Sequence, residues 1–243
     1  MSAEGHSTAI VSLGISCQSS RQIRTHAEEI GHQLGEDIQP ARHFFDGLIA
    51  PVPGVARLFE DGFPLFGPGD IRMGPHHPVW HPYDIHFLHH FRDEAGTVDI
   101  AGRMAEELSR FGHMRGKLQR LSRFDRLVFV LSNSQNNLTM VQEETGLTDL
   151  HFEASAVGRL RHAVEHFLKR PCEFILVTLD GRHADDLSDH VHVLAPDDSE
   201  WTGDKQQWRD LLLERLAEGR QPDGSHPGGD HITMTLVPTP TRS

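Results

Sequence analysis

Apolar residues along this chain fall into two kinds of run, and the two kinds alternate. Ala9-Ile-Val-Ser-Leu13, Leu127-Val-Phe-Val-Leu131 and Phe174-Ile-Leu-Val-Thr-Leu179 are short and nearly continuous, the pattern of strands buried on both faces. Val191-His-Val-Leu194 is a shorter block of the same kind. Between the blocks, apolar positions recur at helical spacing. The sets are Ile23, Ala27, Ile30 and Leu34; Ile100, Met104, Leu108, Phe111, Leu118 and Leu121; Ala156, Leu160, Val164 and Phe167; and Trp208, Leu211, Leu212 and Leu216. Buried strands alternating with amphipathic helices predict an α/β fold, a mainly parallel sheet with helices on both faces.

Two stretches break the pattern. Residues 35–96 are rich in Pro, Gly, His and Phe and show no clear period. They are expected to form an irregular, His-rich insertion after the first helix, packed over the strand ends, where ligands tend to bind. Residues 220–243 are Gly/Pro-rich and are expected to be a partly disordered tail, with a candidate edge strand at 231–237. The 243 residues read as one α/β domain spanning 1–243.

Charge and cysteine usage narrow the partners. A formal net charge of −12 argues against nucleic acid or an anionic membrane surface, because either requires a basic field. The expected partner is a small-molecule or peptide substrate. The start has no basic segment followed by an apolar one, and no apolar run reaches the ~18–20 residues that span a bilayer. The two cysteines, Cys17 and Cys172, have no Cys-x-x-Cys spacing, so the chain reads as cytoplasmic and without a disulfide framework.

In a doubly covered parallel sheet the site lies beyond the carboxyl ends of the strands. Three polar clusters fall there: Gly14 to Cys17, Ser132 to Asn137, and Asp180 to His183. Ser16 is a candidate N-cap, which places Cys17 in the first helical turn. There, unpaired N–H groups and the helix dipole favour thiolate, while Gly14 lets the backbone approach a ligand. The alternative for Cys17 is a small packed hydrophobe, and this is the expected role of Cys172. A nucleophilic thiol needs a base, and His89 in Phe87-Leu-His-His-Phe91 is the candidate, with Asp46 to orient it. Asn133 and Asn137 are candidate oxyanion or substrate donors beside Gly14 and Ser16.

Two other chemistries are open. Asp180-Gly-Arg-His183 is similar to the acid–base pair of SGNH-type esterases, but Leu13-Gly-Ile-Ser-Cys17 replaces their Gly-Asp-Ser. His76, His77, His81, His86, His89 and His90, with Asp84, offer enough ligands for a metal-dependent enzyme, although their spacing matches no His-Glu-x-x-His pattern. The favoured reading uses no metal and no cofactor. A non-catalytic module that binds a nucleotide or sugar at the strand ends is the alternative outside enzymology.

Three segments together, Ile10-Val-Ser-Leu-Gly-Ile-Ser-Cys17, His43-Phe-Phe-Asp-Gly-Leu-Ile-Ala-Pro51 and Ile85-His-Phe-Leu-His-His-Phe91, resemble a bacterial family of uncharacterised proteins, DUF1796, described as papain-like cysteine peptidases. The resemblance covers roughly residues 9–180. It implies a cysteine hydrolase with Cys17 as nucleophile, Asp46 as the acid of the Phe-Asp motif, and His89 as the histidine. Gly47 stands where the family has Trp, and His90 where it has Asp.

Overall fold

In a computed structural model that describes residues 7–39, 42–148 and 150–218, the first apolar block forms β1 (Ser7–Ser12) and the periodic segment after it forms α1 (Gln18–Leu34). The remaining blocks follow as expected. They are β7 (Arg126–Ser132), β8 (Glu173–Thr178) and β9 (Val191–Val193), with α3 (Ile100–Gln119), α5 (Ala154–Leu168) and α6 (Lys205–Glu218), while a short helix that the apolar period did not mark, α4 (Leu138–Thr145), follows β7. A three-residue strand, β2 (Asp37–Gln39), completes a five-stranded, all-parallel sheet of order β2-β1-β7-β8-β9. The fold is therefore α/β.

Continuous apolar strands are needed because alternate residues feed two cores. Ala9, Val11, Leu127, Phe129, Leu131 and Leu176 face one side, against α3, α5 and the segment that follows β2. Ile10, Val128, Val130, Ile175 and Val177 face the other, where Ile23, Ala27 and Ile30 of α1 meet Trp208, Leu211, Leu212 and Leu216 of α6. Each fully buried Val, Ile or Leu contributes roughly 1.5–3 kcal/mol, so a one-residue register slip would exchange the two cores at high cost.

The stretch 35–96, expected to be irregular, contains regular elements. After β2 come β3 (Leu48–Ile49), α2 (Val52–Glu60), β4 (Ile71–Met73), β5 (Pro78–Trp80) and β6 (Ile85–Phe87). These strands form an antiparallel sheet of order β3-β6-β5-β4. Strands of two or three residues are too short to show alternation, and that is why no period was visible. Their core is aromatic: the Phe66 ring packs against Trp80, Phe87, Phe91 and Phe111, and Phe44 packs on Phe63 at 4.7 Å between centroids. The tail 220–243 and its candidate strand lie outside the described residues. Among those residues no helix is long and apolar enough to cross a membrane.

Candidate active site

The order of the parallel sheet reverses between β1 and β7, and the chain leaves β1 at that switch point. Pairing with β7 persists beyond β1, through Leu13 N–H to the Val130 carbonyl at 2.9 Å and Ile15 N–H to the Ser132 carbonyl at 3.4 Å. This prolonged ladder delays the helix. Helix α1 begins at Gln18, so Cys17 occupies the capping position rather than the first turn, and Ser16 Oγ accepts the Gln18 N–H at 3.3 Å. Gly14 adopts φ +101°, and a Cβ there would lie 3.0 Å from the Ala50 carbonyl oxygen. Ala50 N–H in turn donates to the Ile15 carbonyl at 3.1 Å. The two sheets are thus joined at Gly14 and Ile15, one step before the thiol.

Cys17 is half-buried, and burial raises its thiol pKa; the positive charges of Arg24 and Arg21 oppose that rise and Asp46 adds to it. Asp46 sits in the turn before β3, where its carboxylate accepts from Arg24 Nη1 at 2.9 Å and from the His43 N–H at 3.2 Å. Burial pushes its pKa up to about 6 despite those contacts. The exposed Arg21 stacks on Trp201, 5.7 Å from the ring centre. In a chain of net charge −12, a pair of arginines beside one half-buried thiol is a local reversal of sign. Behind the thiol, Gln18 fixes the start of α1. Its Oε1 accepts from Ser132 and Ser134 Oγ at 2.9 and 3.1 Å, and its Nε2 donates to the Thr202 carbonyl at 3.0 Å.

The histidine dyad divides unexpectedly. His89 is exposed, and among the described residues no hydrogen bond joins its ring, or any imidazole, to Cys17 Sγ. Its neighbour His90 is buried, with Nδ1 3.0 Å from Glu107 Oε2. Glu107 also accepts the Phe91 N–H at 3.3 Å and Arg110 Nη1 at 3.0 Å, and it is only 3% exposed. The orienting carboxylate for a histidine is therefore Glu107. Asp46 instead serves Arg24 and its own turn.

The oxyanion donors expected from the β7 end are committed elsewhere. Asn133 gives both amide hydrogens to backbone, to the Leu150 carbonyl at 3.0 Å and the Arg182 carbonyl at 2.8 Å. Asn137 is half-exposed, stands before α4 and makes no side-chain cap. Asp180 is exposed, and no hydrogen bond among the described residues links it to His183, whose Nε2 lies 3.5 Å from Ser188 Oγ. Arg182 between them turns back to the Asn133 and Gln135 carbonyls at 2.8 and 2.7 Å. Ser16 is buried, with its hydroxyl on the Gln18 N–H, so an esterase-like serine is not presented. Cys172 bonds the Arg170 carbonyl, and burial, then Glu165, pushes its thiol up to about 11.

The histidine-rich stretch is dispersed by the fold. His76 and His81 are exposed, His77 Nε2 lies 3.4 Å from Glu144, and His86 is buried in β6. Among the described residues no three His, Cys, Asp or Glu side chains come together to hold a metal ion.

Sequence reasoning passed over Arg21, Arg24, Glu107 and Arg110. Arg21 and Arg24 looked like ordinary solvated positions of α1, and Arg110 like one of α3. Glu107 carried a readable signal, because it falls on the apolar face of α3, three residues after Met104 and four before Phe111. No known family model matches the chain, and neither a curated protein nor a solved structure is significantly similar to it.

Proposed function

We propose that this chain is a cysteine-dependent hydrolase or acyl transferase of the cytoplasm, with Cys17 as nucleophile and a small-molecule or peptide carbonyl as substrate. The observation that carries the reading is the position of Cys17. It lies half-buried at the carboxyl end of a central strand, at the switch point, with Asp46, Arg24 and Arg21 acting on it. A carboxylate whose pKa is pushed up to about 6 is better matched to accept a proton near neutral pH than an ordinary aspartate. In this reading Asp46 takes the thiol proton as sulfur bonds to the carbonyl carbon. The developing negative charge on oxygen meets the positive end of the α1 dipole and the adjacent guanidinium groups. The motif resemblance to cysteine peptidases supports the nucleophile; the base differs from the histidine it implied.

One observation favours a second reading, a non-catalytic module that binds an anionic ligand over the arginines. The thiol pKa is raised and, among the described residues, no imidazole is bonded to the sulfur, as for a cysteine that only packs. Incubation with p-nitrophenyl acetate, followed by peptide mapping, separates the two. Cysteine catalysis gives an acetyl group on Cys17, absent in Cys17→Ala and formed about 10²-fold more slowly in Asp46→Asn. The rate should rise with pH through about 6 as Asp46 ionises. Acetylation of Cys172 alone, or of neither thiol, sinks the hydrolase reading.

A further inference from the structure

The buried pair His90–Glu107 has no partner role that packing alone requires. Glu107 enters from the apolar face of α3 and is ringed by donors: the Phe91 N–H, Arg110 Nη1 and His90 Nδ1. Those donors keep it ionised, and its pKa is lowered even though burial acts to raise it. An ionised carboxylate at 3.0 Å assigns the Nδ1 proton to the His90 side of the contact. Arg110 Nη1, 3.3 Å from the same nitrogen, is bonded more closely to both Glu107 oxygens, at 3.0 and 3.2 Å. The Phe111 ring, 5.0 Å away, and the Phe87 ring, 6.0 Å away, hold the imidazole plane.

Nε2 is the free end. It has no hydrogen-bond partner among the described residues and lies 3.9 Å from where a Cβ on Gly47 would be. Apart from atoms of Gly47 and its two chain neighbours, no other atom of the described residues lies within 4 Å of that position. Gly47, at φ +83°, directly follows Asp46, whose charge acts on Cys17. An imidazole acceptor thus faces the backbone at Gly47, one residue after the carboxylate whose charge acts on the thiol.

We infer that His90 is the second acid–base residue of this site, positioned by Glu107, and that the substrate's reacting carbonyl lies across Gly47. This rests on the reading of Cys17 as nucleophile. In the first half-reaction the Cys17 sulfur bonds the carbonyl carbon, its proton passes to Asp46, and the bond to the leaving group breaks. The leaving group takes that proton from Asp46. In the second half-reaction a water attacks the thioester and gives its proton to His90 Nε2. The carbon–sulfur bond breaks, and His90 Nε2 returns that proton to the thiolate. The sum is one carbonyl substrate plus water giving an acid and a protonated leaving group, with both residues restored. The titratable and charged groups that face His90 are Glu107 and Arg110 from α3 and His89 beside it.

Nitrophenolate leaves without a proton, so p-nitrophenyl acetate separates the two halves. In His90→Asn, acetylation of Cys17 should proceed within about twofold of the unaltered chain, while the thioester persists about 10²-fold longer. Glu107→Gln should lengthen its life about tenfold and shift the pH dependence of hydrolysis, as a positioning residue does and a packing residue does not. His113→Asn, on the exposed face of α3, should change neither half. A thioester that hydrolyses at the normal rate in His90→Asn overturns the inference while leaving Cys17 as nucleophile. So does a loss that follows His89→Asn instead. A chain never acetylated at Cys17 sinks the nucleophile reading itself. Should the variants fail to fold, nitrogen-15 spectra of the unaltered chain decide. Neutral His90 protonated on Nδ1 is expected, and an Nε2-protonated ring, unable to accept from water, overturns it.

Discussion

The parallel sheet and the antiparallel one are held together by different means. In the parallel sheet, hydrogen-bonded strands up to seven residues long sort aliphatic side chains between two cores. The antiparallel sheet has strands of only two or three residues, too few for ladder hydrogen bonds to fix its shape. There the order comes from rings packed edge to face, each pair adding roughly 0.5–1.5 kcal/mol beyond area burial. The first region is a scaffold whose geometry follows from backbone pairing. The second is a side-chain assembly laid on it, and the candidate site lies at their seam, taking Cys17 from one and Asp46, Gly47 and His90 from the other.

Removing a ring from the second region tests that contrast most severely. Phe111 is wholly buried and touches Phe44, Phe66, Phe87 and His90. Phe111→Ala should cost about 3–5 kcal/mol in denaturant unfolding and loosen His90. Amide exchange should rise first in β3 to β6, and equal exchange in both sheets would show them to be one cooperative unit. At the seam, Gly14→Ala forces a side chain into φ +101° and against the Ala50 carbonyl. It should destabilise by about 1–3 kcal/mol and slow Cys17 acetylation, and an unchanged melting temperature would refute the join.

The smallest expected effect is on pH dependence. His43 and His86, both buried in the second region, have pKa values lowered by burial to about 4, from an ordinary 6.5. Each binds its proton more readily unfolded, so each contributes stability above pH 6.5 that is lost as pH falls toward 4. Asp46 acts oppositely: raised to about 6 from 3.8, it contributes stability below pH 3.8 that is lost as pH rises through 6. Asp46→Asn should therefore steepen the rise of stability between pH 4 and 6, by on the order of 1–2 kcal/mol across the window. His43→Asn should flatten it. Unchanged profiles in urea titrations at stepped pH would show that these groups are solvated.

Legibility followed the same division. Cys17 after a buried strand could be read because strand, turn and helix are local in sequence, and only the cap shifted by one residue. The adjacent pair His89 and His90 could not be sorted, because no period runs through so short a strand as β6 to say which ring turns inward. Asn133 looked like a donor for a substrate, yet its amide closes loops that come from residues 150 and 182. Glu107 was half-legible: its place on the apolar face of α3 marked it as buried, but not what it would bind.

What the sequence determined by itself was the parallel sheet, its two-sided burial and the placing of a cysteine just past the end of an interior strand, since each follows from hydrophobic period over five or more residues. Tertiary structure alone decided which histidine is oriented, which carboxylate orients it, and that Asp46 acts on the thiol. Those are contacts between residues far apart in the chain, set by packing of rings and by turns, and no local pattern encodes a distance across a seam.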